Sequence, residues 1–234
     1  MAHTLEQLNQ QITACRQCPR LVTYLDQVGI QKRAAYRDDA YWSKPVPNLI
    51  AANPASASLL VVGLAPGAHG ANRTGRMFTG DRSGDFLFRA MHQAGLASQP
   101  ESTDLNDGLI LHHCVITAAG HCAPPGNKPT REELANCRPF LSHTIDAMPN
   151  LRAVVTLGKI AHDAFLQEAI DRTWLERKRD APFKHAAIHA LDNNGPVVLA
   201  SYHPSQQNTF TGRLTHDMLL AVFVNARRHA LENL

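Results

Sequence analysis

Residues 58–65 read Ser58-Leu-Leu-Val-Val-Gly-Leu-Ala65, and the run ends at Pro66-Gly67. A continuous apolar run of this length, closed by turn residues, is typical of a strand that is buried on both faces of a parallel sheet. A loop rich in Gly, Asn, Thr and Arg follows, and a helix is predicted from Ser83 to Gly95, with the glycine as its C-terminal cap. The stretch therefore predicts one strand, loop and helix unit.

The same pattern returns three times along the chain. The segments that look like strands are Leu109–Ala119, Ala153–Leu157 and Val197–Tyr202, and the helices after them are predicted at Arg131–Asp146, Ile160–Glu168 and Leu214–His229. Parallel strands need crossover connections, which such helices supply. The sequence therefore predicts an α/β fold with four parallel strands and helices on both faces of the sheet.

The chain has 234 residues, which fits a single domain. We predict one unit over residues 1–234: residues 1–57 hold an N-terminal helix, the first cysteine pair and a lead-in, and residues 58–230 form the α/β core. Leu5, Leu8 and Ile12 predict the N-terminal helix, which Pro19 is expected to end.

The composition excludes a membrane protein. The chain is 44% apolar and 18% charged, and no apolar run approaches the ~20 residues that a bilayer span needs. The first residues carry no basic or apolar leader, so we expect a cytoplasmic location. A net charge of +3 permits nucleic-acid binding without requiring it.

The five cysteines are candidates for metal ligation, because disulfides are rare in a reducing compartment. Cys15 and Cys18 form a C-x2-C pair, and Cys122 and Cys137 follow far along the chain. Four thiolates suit either tetrahedral zinc or an iron–sulfur cluster, so the residues alone leave both open, although the longer gaps favour a cluster. Cys114 lies in an apolar strand and is predicted to be a buried hydrophobe, not a ligand.

Three loops are expected to form a binding site. In open parallel sheets, ligands bind where loops leave the carboxyl ends of the strands. The loops at these positions are Pro66–Arg82, Gly120–Thr130 and His203–Arg213.

The segment Gly63–Asp81, which contains most of the first loop, is suited to a nucleotide. Its five glycines allow close backbone approach, Arg73 and Arg76 offer charge for phosphate, and Phe78 offers a stacking face. It contains neither a GxGxxG fingerprint nor a P-loop, and a flexible surface loop is the alternative. Asp81 is its only carboxylate and could either cap the next helix or orient a water molecule.

The third loop begins with His203, directly after a predicted buried strand and before Pro204. A histidine there is placed to donate a hydrogen bond to an anion that develops in the cleft. Phe210 could wedge into a base stack. Uncharged hydrogen-bonding side chains lie between them: Ser205, Gln206, Gln207 and Asn208.

Three ordered motifs carry a family resemblance: Gly63–Asp81, Ile116–Pro129 and Tyr202–Leu214. On these motifs, and over about residues 13–228, the chain resembles the uracil-DNA glycosylase superfamily, and within it the family 5 (type B) enzymes. The resemblance implies a three-layer α/β/α sandwich around a central four-stranded parallel sheet. It also implies a [4Fe-4S] cluster, with zinc as the less favoured alternative, on Cys15, Cys18, Cys122 and Cys137.

The resemblance further implies hydrolysis of the N-glycosidic bond of a deaminated base that is flipped out of DNA. His203 would stabilise the departing base anion, Asn127 would hold the base or the water, and Asp81 would position the water. Phe78 would stack on the base. The rest of the base pocket would be Gly63, Leu64, Ala65, Gly67 and His69.

One departure from the superfamily concerns the first motif. The best-known branch has Gly-Gln-Asp-Pro-Tyr, where this chain has Gly63-Leu64-Ala65-Pro66-Gly67. The water-activating Asp of that branch is absent, and family 5 shares the Ala. Gly67 in place of an aromatic gate predicts a roomier pocket and a substrate range wider than uracil alone. The family resemblance implies that this range includes hypoxanthine or ethenocytosine.

The expected partner is DNA with damaged bases, bound by a monomer in the cytoplasm at the nucleoid. Contacts to DNA are expected mainly at phosphates, with the basic run Arg172–Lys184 as a solvated face or a secondary contact. The residues assigned to DNA are Arg73, Arg76, Lys128, Ser205, Gln206, Gln207 and Arg213, with Arg227 as a further candidate.

Two other classes of protein compete with this interpretation. A non-catalytic nucleic-acid-binding protein with a structural four-cysteine metal site would have little use for His203 and Asp81 in a cleft. A nucleotide hydrolase would need grouped carboxylates for Mg²⁺, and Asp81 stands alone. A serine hydrolase is disfavoured because the chain has no G-x-S-x-G motif.

Overall fold

The computed structural model describes residues 4–231, which form five strands and eight helices. The strands are β1 Leu59–Gly63, β2 Cys114–Ala118, β3 Ala153–Leu157, β4 Ile188–His189 and β5 Val197–Ser201. The helices are α1 Leu5–Ala14, α2 Pro19–Gln31, α3 Ala71–Thr74, α4 Arg82–Gln93, α5 Arg131–Asp146, α6 Lys159–Asp171, α7 Gln206–Phe210 and α8 His216–Leu231.

The sheet has the order β2-β1-β3-β5-β4. Its first four strands are parallel, and β4 pairs antiparallel with β5. Helices α4 and α8 contact each other, and α8 covers one face of the sheet, while α5 and α6 cover the other with α1 behind them. The α/β/α sandwich is thus confirmed, but the predicted count of four strands is wrong, because β4 adds a fifth of only two residues.

Burial of apolar side chains explains the central strands. Every residue of β1, β2 and β3 is buried. A fully buried Val, Leu or Ile side chain stabilises the fold by about 1.5–3 kcal/mol relative to an exposed one. The four parallel strands all end at one margin of the sheet, which we call the carboxyl edge, and the loops that follow them meet there.

The N-terminal segment differs from the prediction in one element. Pro19 does not simply end a helix, because it is the first residue of α2. Proline is favoured at that position, where its missing N–H would have no partner in the helix and its φ is already helical. Helix α1 begins with a capping box between Thr4 and Gln7.

The lead-in covers the free edge of β2 and reaches the carboxyl edge. Leu49 pairs with Ile116 of β2 in an antiparallel bridge. Nearer the carboxyl edge, the N–H of Ser43 donates to the carbonyl of Asn72, and that of Val46 donates to the carbonyl of His121. Within residues 4–231, no helix combines the length and the apolar character that crossing a bilayer requires.

Candidate active site

A cleft of about 620 Å³ opens at the carboxyl edge. The three loops that the sequence predicts as a binding site meet around it. Of the predicted site residues, those that line it are Gly63, Leu64, Ala65, Gly67, Phe78, Asp81, Asn127, His203, Ser205, Gln206 and Gln207. Lining residues that the prediction missed are Pro66, Ala71, Met77, Ser83, Ala118 and Gly126. Ala118 could have been found from its place at the carboxyl end of β2, by the rule that selected the loops.

The two carboxylate oxygens of Asp81 have different surroundings. As the N-cap of α4, its Oδ1 accepts hydrogen bonds from the N–H groups of Ser83 at 2.9 Å and Gly84 at 3.0 Å. Its Oδ2 lies against two glycines: a Cβ added at Gly67 would be 3.0 Å from this oxygen, and one at Gly70 would be 2.0 Å away. Burial raises the pKa of the Asp81 carboxyl, and the bonds from Gly84 and Ser83 offset part of this effect.

Phe78 is held in a left-handed backbone conformation with φ of 51°. Its ring packs on the backbone of Gly63, where an added Cβ would lie 2.9 Å from the ring carbons. An added Cβ at Gly84 would lie 1.9 Å from the carbonyl oxygen of Phe78. The two glycines therefore allow the tight turn that places the ring in the cleft.

His203 faces Phe78 across a ring-centroid distance of 6.0 Å. Burial lowers the pKa of its imidazole to about 4, so the ring is neutral at pH 7 and can donate through one N–H. The carbonyl of His203 accepts a 2.9 Å hydrogen bond from the amide of Asn208. Gly158, at φ of 93°, lies so close that an added Cβ would be 3.2 Å from the Cβ of His203. These neighbours fix the loop that carries the imidazole.

Asn127 closes the short 3-10 turn Pro125–Asn127 within the second motif. It has φ of 57°, a conformation that asparagine tolerates better than most residues. Its side chain is exposed and lines the cleft. Ser205, Gln206 and Gln207, at the start of α7, add further uncharged hydrogen-bonding groups to the wall.

Arg73 is committed to contacts within the protein. Its side chain is 13% exposed and forms an ion pair with Asp39 at 2.5 Å. The same guanidinium donates to the carbonyls of His69 and Gly80 at 2.9 Å each and lies 3.9 Å over the ring of Tyr36. The structure thus gives Arg73 a role in holding the first loop, where the sequence suggested a phosphate contact.

Arg76 is also committed. Its side chain is 5% exposed, and both terminal nitrogens bond the carboxylate of Asp107, at 2.8 and 2.5 Å. Further bonds of 2.9 Å run to the hydroxyls of Thr79 and Ser102. A guanidinium buried in this network is not presented to DNA at the surface, so we leave Arg73 and Arg76 out of the proposed DNA surface.

Four other predicted residues lie outside the cleft lining. His69 is half-buried within the first loop; burial lowers its pKa, and its Nδ1 bonds the hydroxyl of Tyr41 at 3.0 Å. Lys128 and Arg213 are exposed, and the guanidinium of Arg213 lies 4.4 Å over the ring of Tyr202. Arg227 lies near the far end of α8, against Gly95, away from the carboxyl edge.

The four cysteines of the predicted metal centre line one small hollow. Two N–H groups point at their sulfurs: the backbone N–H of His121 at Cys137 Sγ, 3.4 Å, and the amide of Asn136 at Cys18 Sγ, 3.6 Å. Four thiols in one hollow with N–H donors fit a thiolate-ligated group. Over residues 4–231, however, no three side chains of the ligand types are arranged to hold a metal ion. The metal centre stays a prediction.

Cys114 is buried within β2, and burial raises the pKa of its thiol. Its sulfur contacts only the carbonyl of Leu96 among the described hydrogen-bond partners, at 3.7 Å. Its burial in a strand is as predicted, and it is not among the residues that line the hollow of the other four cysteines.

Residues 50–226 match the family model described as the uracil DNA glycosylase superfamily. This chain belongs to that superfamily. Proteins named type-5 uracil-DNA glycosylase resemble it over nearly its whole length. The one from Mycobacterium leprae is 46% identical over 230 residues, covering 98% of this chain and 97% of that protein. The one from Thermus thermophilus is 48% identical over 221 residues, covering 94% of this chain and 96% of that protein.

A third relative of the same name agrees. The type-5 uracil-DNA glycosylase of Pyrobaculum aerophilum is 43% identical over 216 residues, which covers 92% of this chain and 89% of that protein. The resemblance carried by the three motifs is therefore confirmed. In this member of the uracil-DNA glycosylase superfamily, the three motifs form one cleft.

Proposed function

We propose that this chain is a DNA-repair glycosylase that hydrolyses the N-glycosidic bond of uracil in DNA and leaves an abasic site. The observation that carries the proposal is the cleft, in which Asp81, His203 and Phe78 meet. A carboxylate, a neutral imidazole and an aromatic face are the groups this reaction uses. The names of the full-length relatives support the same activity.

The departing base must leave as an anion, and His203 is the group suited to receive it. A neutral imidazole donates its N–H without the cost of reorganising solvent, because its loop is already fixed. Phe78 lies 6.0 Å from His203 between ring centroids and offers its face to the flipped base. The base would therefore lie against Phe78 with its developing charge toward His203.

Asp81 would act on the sugar side of the scissile bond. Its Oδ1 is occupied by the α4 cap, while Oδ2 lies beside Gly67 and Gly70, and the residue lines the cleft. That oxygen can accept a proton from water and stabilise the positive charge that develops on the sugar. The raised pKa of Asp81 makes the carboxylate a stronger proton acceptor. Asn127 would hold the base or the water.

Gly67 supports a wider substrate range than uracil alone, namely hypoxanthine or ethenocytosine. It leaves the cleft wall without a side chain, and the Asp81 carboxylate lies 3.0 Å from where a Cβ would be. An excision assay on duplexes that carry each base tests this point, and cleavage of uracil alone would contradict it.

Contacts to DNA would come from exposed and half-buried side chains around the cleft: Lys128, Arg213, Ser205, Gln206 and Gln207. Phe210 is 67% exposed and lies 5.1 Å from the guanidinium of Arg82, which suits a side chain that enters the gap left by the flipped base. Since glycosylases act on the genome, we place the protein at the nucleoid in the cytoplasm, as a monomer.

We also propose a [4Fe-4S] cluster on Cys15, Cys18, Cys122 and Cys137. It would brace the turn before α2 against the second-motif loop and α5, and no catalytic step requires it. Purified protein should then be brown, with a broad visible absorption band and bound iron and sulfide. Cys122→Ser should lose iron, whereas Cys114→Ala, the matched control, should keep it. Zinc without iron in the purified protein would replace the cluster in this proposal.

The central test is abasic-site formation on a labelled uracil-containing duplex, read by alkaline strand cleavage. Wild type should cleave the strand at uracil. His203→Ala should lose ~10²–10³-fold in single-turnover rate, the usual cost of removing one donor to a developing anion. His112→Ala, an exposed histidine outside the cleft, is the control. DNA binding without any cleavage by wild type would favour the non-catalytic binding protein instead.

A further inference from the structure

A shallow surface depression, which we call the basic groove, lies beside α1 and outside the catalytic cleft. Its volume is about 500 Å³. It is lined by Asn9, Gln10, Thr13, Ala14, Arg16, Lys44 and Pro47. No carboxylate is among these residues.

The two cations of the basic groove are not paired with a carboxylate of the described residues, although Arg16 also lines the hollow of the four cysteines. Arg16 and Lys44 are both exposed. Neither forms an ion pair in the part of the chain that the structure describes. Several other arginines are paired: Arg20, Arg73 and Arg76 each bond a carboxylate. Two unpaired cations in one hollow attract an anionic ligand.

Arg16 is held in place by the end of α1. Its Nη1 donates to the carbonyl of Thr13 at 3.2 Å and to that of Cys15 at 2.7 Å. An arginine has five N–H donors, so one nitrogen can anchor the side chain while others bind a phosphate. The guanidinium is therefore oriented before any ligand arrives.

Lys44 connects the basic groove to the catalytic cleft. Its ammonium lies 5.5 Å over the ring of Trp42. The next residue back, Ser43, donates its N–H to the carbonyl of Asn72 at 3.1 Å, and Ala71 lines the cleft. The path from the Cα of Lys44 to the Cα of Ala71 runs through Ser43, the hydrogen bond to Asn72, and one further residue step. Its length is about 15 Å, which is an upper limit on the distance between these two Cα atoms.

This distance fits DNA that has a base in the cleft. Phosphates of one strand follow each other every ~3.4 Å along the duplex axis, so ~15 Å covers about four nucleotides. We propose that the basic groove binds the sugar-phosphate backbone of the substrate DNA, a few nucleotides from the flipped base, through Arg16 and Lys44. The inference rests on the proposed function and adds a contact surface outside the three motif loops.

The test measures DNA affinity against salt, with a duplex that carries a non-cleavable abasic analogue, by fluorescence anisotropy. A plot of log K against log salt concentration has a negative slope, and each lost phosphate contact makes that slope less negative by about 0.9. Arg16→Gln and Lys44→Gln should each show this less negative slope. Raising the salt from about 50 to about 200 mM should therefore weaken DNA binding by a factor roughly 3.5-fold smaller in each variant than in wild type. Single-turnover excision at saturating protein should be unchanged, because neither residue lines the cleft.

Two further variants control for charge and position. Arg16→Lys keeps the charge and should keep the wild-type slope, which separates a phosphate contact from a folding defect. Arg228→Gln removes an exposed cation near the end of α8, a helix of 16 residues that runs about 24 Å away from the carboxyl edge. It should leave the slope unchanged.

Wild-type slopes in Arg16→Gln and Lys44→Gln, together with normal uracil excision, would remove the basic groove from DNA binding and leave the glycosylase function intact. Absence of excision by wild type would instead refute the proposed function, and the inference with it.

Discussion

The two oxygens of Asp81 can be tested separately, because asparagine replaces only one of them. In Asp81→Asn the amide oxygen can still accept the bonds from Ser83 and Gly84, and the NH₂ group takes the place of Oδ2 in the cleft. In Asp81→Ala both are lost. Replacing an N-cap by Ala costs about 1 kcal/mol, whereas Asn caps as well as Asp. For a chain of this size, that cost lowers Tm by roughly 2–4 °C in the Ala variant alone.

Excision should respond differently. A positioned general base contributes about 10²–10⁴-fold, or roughly 2.7–5.4 kcal/mol of barrier, and both variants lose it. Single-turnover rates on a uracil-containing duplex should therefore fall by about the same factor in Asp81→Asn and Asp81→Ala. Thermal melting of the same preparations should separate the two variants. DNA affinity should stay at least at the wild-type level in both, because a negative charge near the phosphates is removed.

The reasoning fails if Asp81→Asn excises uracil within about threefold of wild type, a difference of less than about 1 kcal/mol in barrier. Asp81 would then be only a helix cap, and the water would be oriented by another group. It also fails if Asp81→Ala has the same Tm as wild type, since Oδ1 would then not stabilise α4.

Three further predictions concern neighbouring features. NMR titration of the His203 imidazole should show it neutral through pH 6, with a midpoint near pH 4, and a midpoint near the ordinary value of 6.5 would show that it is not desolvated. Burial opposes ionisation of Asp107, but bonds from Arg76 and the backbone outweigh it and lower its pKa from 3.8 to about 2. Above pH 4, this ion pair should contribute about 2 kcal/mol to the free energy of unfolding, and the contribution should disappear as the pH falls through about 2. Urea unfolding at several pH values should show this change in wild type and not in the Asp107→Asn variant. Gly70→Ala should abolish excision, because its new Cβ would lie 2.0 Å from the Asp81 carboxylate and would displace it. The control is Gly120→Ala, whose Cβ would meet nothing nearer than 3.8 Å and which should be active. Equal excision activity in the two variants would exclude this mechanism.

The central strands follow well from the sequence, because each is an apolar run that ends in a polar or glycine-rich loop. Ala153–Leu157 has its predicted bounds, and so does the helix Arg131–Asp146. The predicted strand Leu109–Ala119 is too long, since the strand itself is Cys114–Ala118 and Leu111 forms an isolated bridge with Ala97. Strand β4 has only two residues, which is too short for any periodic pattern.

The residues that line the cleft could be predicted from the sequence, but the ion pairs that hold the surrounding loops could not. Asp81, Phe78 and His203 follow from loop position, because parallel strands bring their carboxyl ends together. The partners of the buried arginines do not follow from sequence: Arg76 meets Asp107, which lies 31 residues away along the chain. The sequence alone therefore could not show that Arg76 is paired with a carboxylate and withdrawn from the surface.

Neither lateral margin of the sheet offers a long open strand, and this has a consequence for self-association. Leu49 bonds to Ile116 on the outer side of β2, with N···O distances of 2.9 and 2.8 Å, and β4 closes the outer side of β5. An open strand margin is a template on which another chain can add a strand. This molecule can thus keep its carboxyl edge open for a large anionic polymer while one lateral margin is bridged by the lead-in and the other ends in a strand of only two residues. We expect it to resist strand-to-strand aggregation when many copies gather on the same DNA.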